Sequence, residues 1–417
     1  NYTLSGITGG AYKNDNATTV NIVSNGTTTN VLTGLDSSKA TKVNLSGTAG
    51  LTFGTTTLAA AAVIDASANS GANKISIAAG QKYVGGSGKD TVTAGNALQT
   101  ATVDGGAGTT DTLVLTSATA FGTTGAARFL NFEVLETTVD VDVSKFTASS
   151  IGSVIMSGDS DVTGLTAAQA ANVTIKADAT PTIGVTGATT VGQLDTVKIT
   201  VDDGLAAVNT IALTAPMLAG VETLNLVAND NVTVSAVTGA TALTNVNITG
   251  TGTVGITSGN LSLNVNSVVD ASAVNKAVTL NFADALANGI SLKAGDGNNA
   301  LTGTSIVGKG NLITSGHGNS TLTGGQADDV IVAGHGNNTI AAAAGANTIT
   351  AGDGNNAIST TGSTGANKVT VGNGWNVITT GSGADTITVG TGANVIDAGI
   401  GADVIVLGAS VAGTGNK

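Results

Sequence analysis

The 417-residue chain has 60 glycines, no cysteine, 2% aromatic and 10% charged residues, which excludes a thick core of large side chains, disulfide cross-links and thiol catalysis. Its formal net charge is −12, which argues against nucleic acid as a partner. The acids divide into 24 Asp and 3 Glu, and so little Glu argues against a helical protein.

What remains for burial is Val, Ile, Leu and Ala in thin layers, which suits stacked strands. Residues 1–84 read as an N-terminal β segment. TKVNLSG (41–47) and LTFGTTTL (51–58) alternate as short half-buried strands between Asn/Gly turns. LAAAAV (58–63) is the one candidate helical turn there. After VIDASAN (63–69) comes a short repeat patch, 85–116. GGSGKDTVT (85–93) places Asp90 sixth and Val92 eighth, and DGGAGTTDTLVLT (104–116) repeats the plan with one extra residue before Asp111.

Residues 117–290 form a Thr/Asn/Gly-rich β region between two repeat blocks. Runs such as NVTIKA, TVKITV, NVNITG and LSLNVNSVV predict many short strands in a solenoid or a sandwich. TGLTAAQAANV (163–173) and LTAPML (213–218) are candidate helical turns. NFEVLE (131–136) and GVETLN (220–225) echo each other, so Glu133 and Glu222 read as a strand-entry position used once per module. VIDASA (63–68) recurs as VVDASA (268–273). Each copy precedes a glycine–aspartate block, so the chain reads as one plan used twice.

Residues 291–408 repeat nine residues: AGDGNNALT, GGQADDVIV, AGHGNNTIA, AGDGNNAIS, VGNGWNVIT, TGSGADTIT, VGTGANVID and AGIGADVIV. A period this short means one unit stacked many times, a parallel β-solenoid. The glycine half turns tightly, and the other half is a strand with one inward apolar residue. Two units make one turn, so residues 18 apart stack at the ~4.8 Å strand spacing. That gathers backbone carbonyls and sixth-place carboxylates into a cage of hard oxygens suited to Ca2+. Without metal the stacked acids repel, so folding and calcium binding are expected to be coupled.

The candidate metal ligands are Asp90, Asp111, Asp329, Asp385 and Asp403. Asp385 with Asp403 ranks first, Asp90 with Asp111 second, and Asp329 stacked on Asn347 third. Elsewhere the sixth place holds Asn299, Asn338, Asn347, Asn356, Asn367, Asn376 and Asn394. Those turns are expected to bind calcium weakly or not at all and to stack as a hydrogen-bonded ladder instead.

This pattern resembles the RTX (repeats-in-toxin) motif GGxGxDxUx over 85–114 and 294–408. With the Thr/Ala/Gly/Asn-rich β segments, the [FV]-E-x-L units, the DASA strand and the lack of Cys, the chain is similar to Caulobacter-type bacterial surface-layer proteins. The resemblance implies an all-β RTX β-roll protein exported by a type I system. It further implies a structural, non-enzymatic subunit that assembles with copies of itself into a calcium-dependent two-dimensional lattice on the cell surface. Attachment to cell-surface polysaccharide would run through a part outside this chain. The alternatives are the stalk of an RTX adhesin and the accessory calcium-binding module of a secreted enzyme. An ice-binding face is disfavoured, because the outward places carry no regular Thr or Asn row.

Several other residues have a claim. His317 and His335, the only histidines, share third place with Asp353 and Asp296 and read as exposed turn residues, with zinc as the sharper alternative. Trp375 stands at an outward fifth place and marks a possible subunit contact. The acidic loops DSD (159–161) and VDD (201–203) read as solvated. No GxSxG or HExxH occurs, so catalysis is not expected. No apolar stretch is long enough to span a membrane. The start at Asn1 reads as a fragment or processed product, and 409–417 as a tail.

Overall fold

A computed structural model describes residues 1–95, 98–118, 125–190, 194–235, 240–257, 267–284 and 289–408. Two compact units divide at Ile175/Lys176. In each, consecutive strands belong to different sheets, and every named pairing between strands is parallel. In unit 1 one sheet runs through Tyr2–Ser5, Thr19–Asn25, Lys42–Gly47, Val63–Asn69, Lys82–Val84, Val103–Asp104 and Phe129–Leu130. The other includes Asn30–Asp36, Leu51–Thr57, Lys74–Ile77, Thr91–Ala94, Thr112–Leu115, Val134–Thr137 and Ser153–Met156.

Unit 2 is built the same way. Thr196–Val201, Thr223–Ala228, Asn245–Gly250, Val268–Ala271 and Ser291–Ala294 lead without a break into the strands of the nonapeptides. The described residues of 176–290 therefore form a solenoid and not a sandwich. The DASA segments are strands in both units, and each turns on itself: Asp65 and Asp270 accept the backbone N–H of Ser67 and Ser272.

The core is a pair of aliphatic stacks. Ile331, Ile349, Val369 and Ile387 lie in register on one sheet, and Leu322, Ile340, Ile358 and Ile378 on the other. All eight are at most 3% exposed. Each such burial is worth about 1.5–3 kcal/mol, supplied by the single apolar eighth place of each nonapeptide.

Of the three candidate helical turns, one forms. Ala167–Ala170 is a single turn closed by a Thr166/Gln169 capping box. LAAAAV is a turn leading into the Val63 strand. In LTAPML, Leu213 and Thr214 end a strand, and Met217 donates to the Pro181 carbonyl and bridges to Thr182. Pro216 supplies no N–H for a helix there. The strand expected at 261–266 and the tail 409–417 lie outside the described residues.

Glycine sets how closely rungs approach. Gly354 sits at φ +133°, and a Cβ there would lie 2.1 Å from the Gly336 carbonyl oxygen of the rung before. Gly354→Ala should cost about 1–3 kcal/mol from the dihedral alone, with the clash in addition. Gly255→Ala, whose Cβ would make ordinary contacts with Thr233 Cγ2 at 3.7 Å and the Val232 carbonyl oxygen at 3.9 Å, should be neutral or stabilising. Equal denaturation midpoints for the two variants would contradict this account of rung spacing.

Candidate metal centre

The sixth-place side chains point inward and form columns. In each column the side-chain oxygen of one rung accepts the backbone N–H of the rung before. In unit 1 the column runs from Leu51 N to Asn73 Oδ1 (3.1 Å), Asn73 N to Asp90 Oδ1 (2.9 Å), Asp90 N to Asp111 Oδ1 (2.7 Å) and Asp111 N to Glu133 Oε2 (2.9 Å). Three acids thus follow one another on successive rungs. Unit 2 has two such columns, one on each edge. One holds Asn299, Ser320, Asn338, Asn356, Asn376 and Asn394. The other holds Asn311, Asp329, Asn347, Asn367, Asp385 and Asp403. All sixth-place aspartates of the long repeat block fall on this second edge.

The asparagines show what the column needs. Asn338 Nδ2 donates to the carbonyls of Gly334 and Gly336, both at 3.1 Å, and to Asn356 Oδ1 at 3.0 Å. Asn356 and Asn376 make the same three bonds. Each amide nitrogen sits in a nest of oxygens lent by the glycines of its own turn and by the next rung. A carboxylate has no proton to offer that nest.

The RTX calcium-binding nonapeptide repeat family matches the chain in four copies, at 308–340, 333–360, 361–387 and 379–409. The matched repeats form an RTX β-roll. RTX nonapeptides bind calcium. No curated protein and no solved structure matches the chain.

The aspartates of the RTX roll differ in how well they fit a cation. Asp385 Oδ1 accepts Asn367 N and Nδ2, but its Oδ2 is buried without a partner, and Asp385 N rests on Asp403 Oδ1. Oδ2 therefore takes the place that the amide nitrogen has at Asn338, Asn356 and Asn376, where glycine carbonyls accept from it. That is an all-oxygen setting for a hard cation, and Asp385 with Asp403 would hold it. Asp111 repeats the arrangement in unit 1: its Oδ2 is buried and unpartnered, and a Cβ on Gly108 would lie 2.6 Å both from that oxygen and from the Gly88 carbonyl. Asp90 and Asp329 are engaged by protein donors. Asp90 Oδ2 accepts Tyr83 Oη–H (2.9 Å) and Gly86 N–H (3.0 Å), and Asp329 Oδ2 accepts Gly325 N–H (2.6 Å). In both, the second glycine of a Gly-Gly pair fills the role that a cation would fill at Asp385.

Burial raises the carboxyls of Asp90 and Asp329 above the ordinary range. Burial also pushes Asp111 up to about 6, and the nearby Asp90, Glu133 and Asp104 carboxylates add to it. Glu133, read from sequence as a strand entry, is the residue that reasoning on the nonapeptide missed. It ends the column from outside the motif, and its signal was the Asp-Thr-Leu strand one rung earlier.

The outward places form ladders too. His335 N donates to His317 Nδ1 (3.1 Å) and Asp353 N to His335 Nδ1 (2.9 Å), and the two rings stack at 5.0 Å. Asp296 and Asp353 accept from His317 N and Asn373 N. The histidine Nδ1 lone pairs are thus spent on backbone N–H groups, which places the ring proton on Nε2 and disfavours zinc there. Trp375 is 58% exposed, with its N–H held by Asn355. Asp202 and Asp203 lie with Asp230, ligand atoms within 4.8 Å of one another, but N–H donors engage all three. Asp161 N donates to Asp140, and no group of three metal-capable side chains includes the 159–161 acids among the described residues.

Asp385→Asn restores the missing donor. The metal-free protein should melt at a higher temperature, and its gain on adding calcium should shrink; a lower metal-free Tm would refute the nest assignment. Asp111 sets a pH dependence of opposite sign to the usual carboxylate. Its folded value, about 6, lies above the ordinary 3.8, so the folded state binds the proton more tightly. In EGTA, stability should rise as pH falls from 7.5 to 5, and Asp111→Asn should flatten that slope; a Tm that falls over this range would contradict it.

Proposed function

We propose that the chain is a non-enzymatic subunit, or a segment of one, of a bacterial surface layer that assembles laterally into a calcium-dependent two-dimensional lattice. RTX repeat proteins are typically secreted. No helix among the described residues is long and apolar enough to cross a membrane.

The observation that carries the reading is the division of labour between the two edges of the roll. The Asn column seals one edge without metal. Its outside presents a straight row of His317, His335, Asp353 and Asn373, with Trp375 nearby. The other edge holds every sixth-place aspartate of the long block. One rigid exposed face and one cation-dependent edge are what a subunit needs for lateral contacts that calcium switches on. An exposed Trp on a rigid support is a typical contact anchor. A non-enzymatic role is supported by the histidines, whose Nδ1 atoms are both engaged in the ladder, and by the lack of Cys.

Negative-stain images of purified protein should show ordered sheets in calcium that dissolve on chelation. Trp375→Ala should weaken the sheets without lowering Tm. Monodisperse rods both with calcium and with chelator would sink the proposal.

A further inference from the structure

Outside the nonapeptides, one local arrangement occurs twice. In unit 2, Asp195 N donates to Glu222 Oε2 at 2.7 Å, while Glu222 N and Thr223 N both donate to the Asp195 carbonyl at 3.1 Å. In unit 1, Asp111 N donates to Glu133 Oε2 at 2.9 Å, and Glu133 N and Val134 N donate to the Asp111 carbonyl at 3.1 and 3.0 Å. The sequences agree: Asp111-Thr-Leu-Val-Leu and Asp195-Thr-Val-Lys-Ile form one strand, and Glu133-Val-Leu and Glu222-Thr-Leu open its neighbour on the next rung. Both aspartates are nearly or fully buried, Asp111 at 0% and Asp195 at 8% exposure. In both, Oδ2 has no hydrogen-bond partner.

We propose that Asp195 and Glu222 form a calcium site in unit 2 that lies outside the nonapeptide repeats, and that an Asp-Thr-[Leu/Val] strand followed one rung later by Glu-x-Leu marks such a site. The argument is one of unmatched charge. A buried carboxylate oxygen without a donor is costly, and here a second carboxylate lies one rung away. No ion pair involves Asp195 or Glu222 among the described residues, so no Lys or Arg there offsets them. A hard divalent cation satisfies both acids with oxygen ligands and nothing else. Buried Asp230, in the same unit, is the contrast. It accepts N–H groups of Asp203 and Asn209 on its two oxygens, so it needs no cation.

Glu222 reaches the Asp195 N–H from the next rung just as Glu133 reaches that of Asp111.

Two isosteric variants of the full chain test the proposal, with calcium as the probe. In Glu222→Gln the amide oxygen still accepts the Asp195 N–H, so a carboxylate that merely caps the backbone tolerates the change. A cation site loses its charge. Equilibrium dialysis should find one calcium fewer per chain in Glu222→Gln and in Asp195→Asn, and the Tm in EGTA should be unchanged in Glu222→Gln. Asp385→Asn, measured alongside, reports the RTX roll separately, so a null result at Glu222 leaves that site standing. Hydrogen exchange over 194–201 should slow with calcium in the native chain but not in Glu222→Gln. Unchanged stoichiometry in both Asp195→Asn and Glu222→Gln, or calcium protection that persists in Glu222→Gln, would overturn the proposal.

Discussion

The structure depends on one requirement: the N–H that precedes each strand, buried at the corner of a rung, has to find an acceptor. The residues that carry it are buried, Asn338, Asn356 and Asp385 at no more than 1% exposure, so bulk water does not serve that group. The sixth-place side chain of the next rung supplies the oxygen, as at Asn338 with Asn356 and at Asp385 with Asp403. An unmet N–H costs about 1–3 kcal/mol, and the need recurs along the long repeat block. The column is therefore as necessary as the aliphatic stack beside it. It also explains why this place admits Asn, Asp, Ser and Glu, all with a side-chain oxygen that can accept.

Asn and Asp meet that requirement equally well but differ in what they do with the second atom. The amide nitrogen closes the glycine nest and leaves nothing to add. The carboxylate leaves an oxygen among oxygens, which then takes a Gly-Gly N–H, a proton or a cation. Asp329 takes the first route and Asp385 has none of the protein's own. Fit for a cation in this roll is thus a local property of single rungs, set by one heavy atom.

Much of this was legible in the sequence, because a strict period leaves little freedom. The nine-residue repeat implied two sheets, inward eighth places and stacking of residues 18 apart, as between Asp329 and Asn347. Where rungs vary in length, the period disappears from the string: 27 residues separate Asp195 from Glu222, and 22 separate Glu222 from Thr244. Hence solenoid and sandwich were indistinguishable over 117–290. The Pro216 turn was misread for a related reason, since helix and turn share composition over six residues. The fate of the Asn amides, the satisfied state of Asp90 and the outward His ladder depend on which backbone groups face each other across rungs. Spacing alone carries no such information.

The ladders also give the molecule a direction. On the outer edge a rung receives its acceptors from the rung before it in the chain, Asn298 serving Asn319 and Asn319 serving Asn337, whereas the inner column runs the other way, with Asn356 serving Asn338. Inner and outer rails are therefore antiparallel in hydrogen-bond sense. Within the repeat block, a rung removed from either end therefore exposes donors on one rail and acceptors on the other.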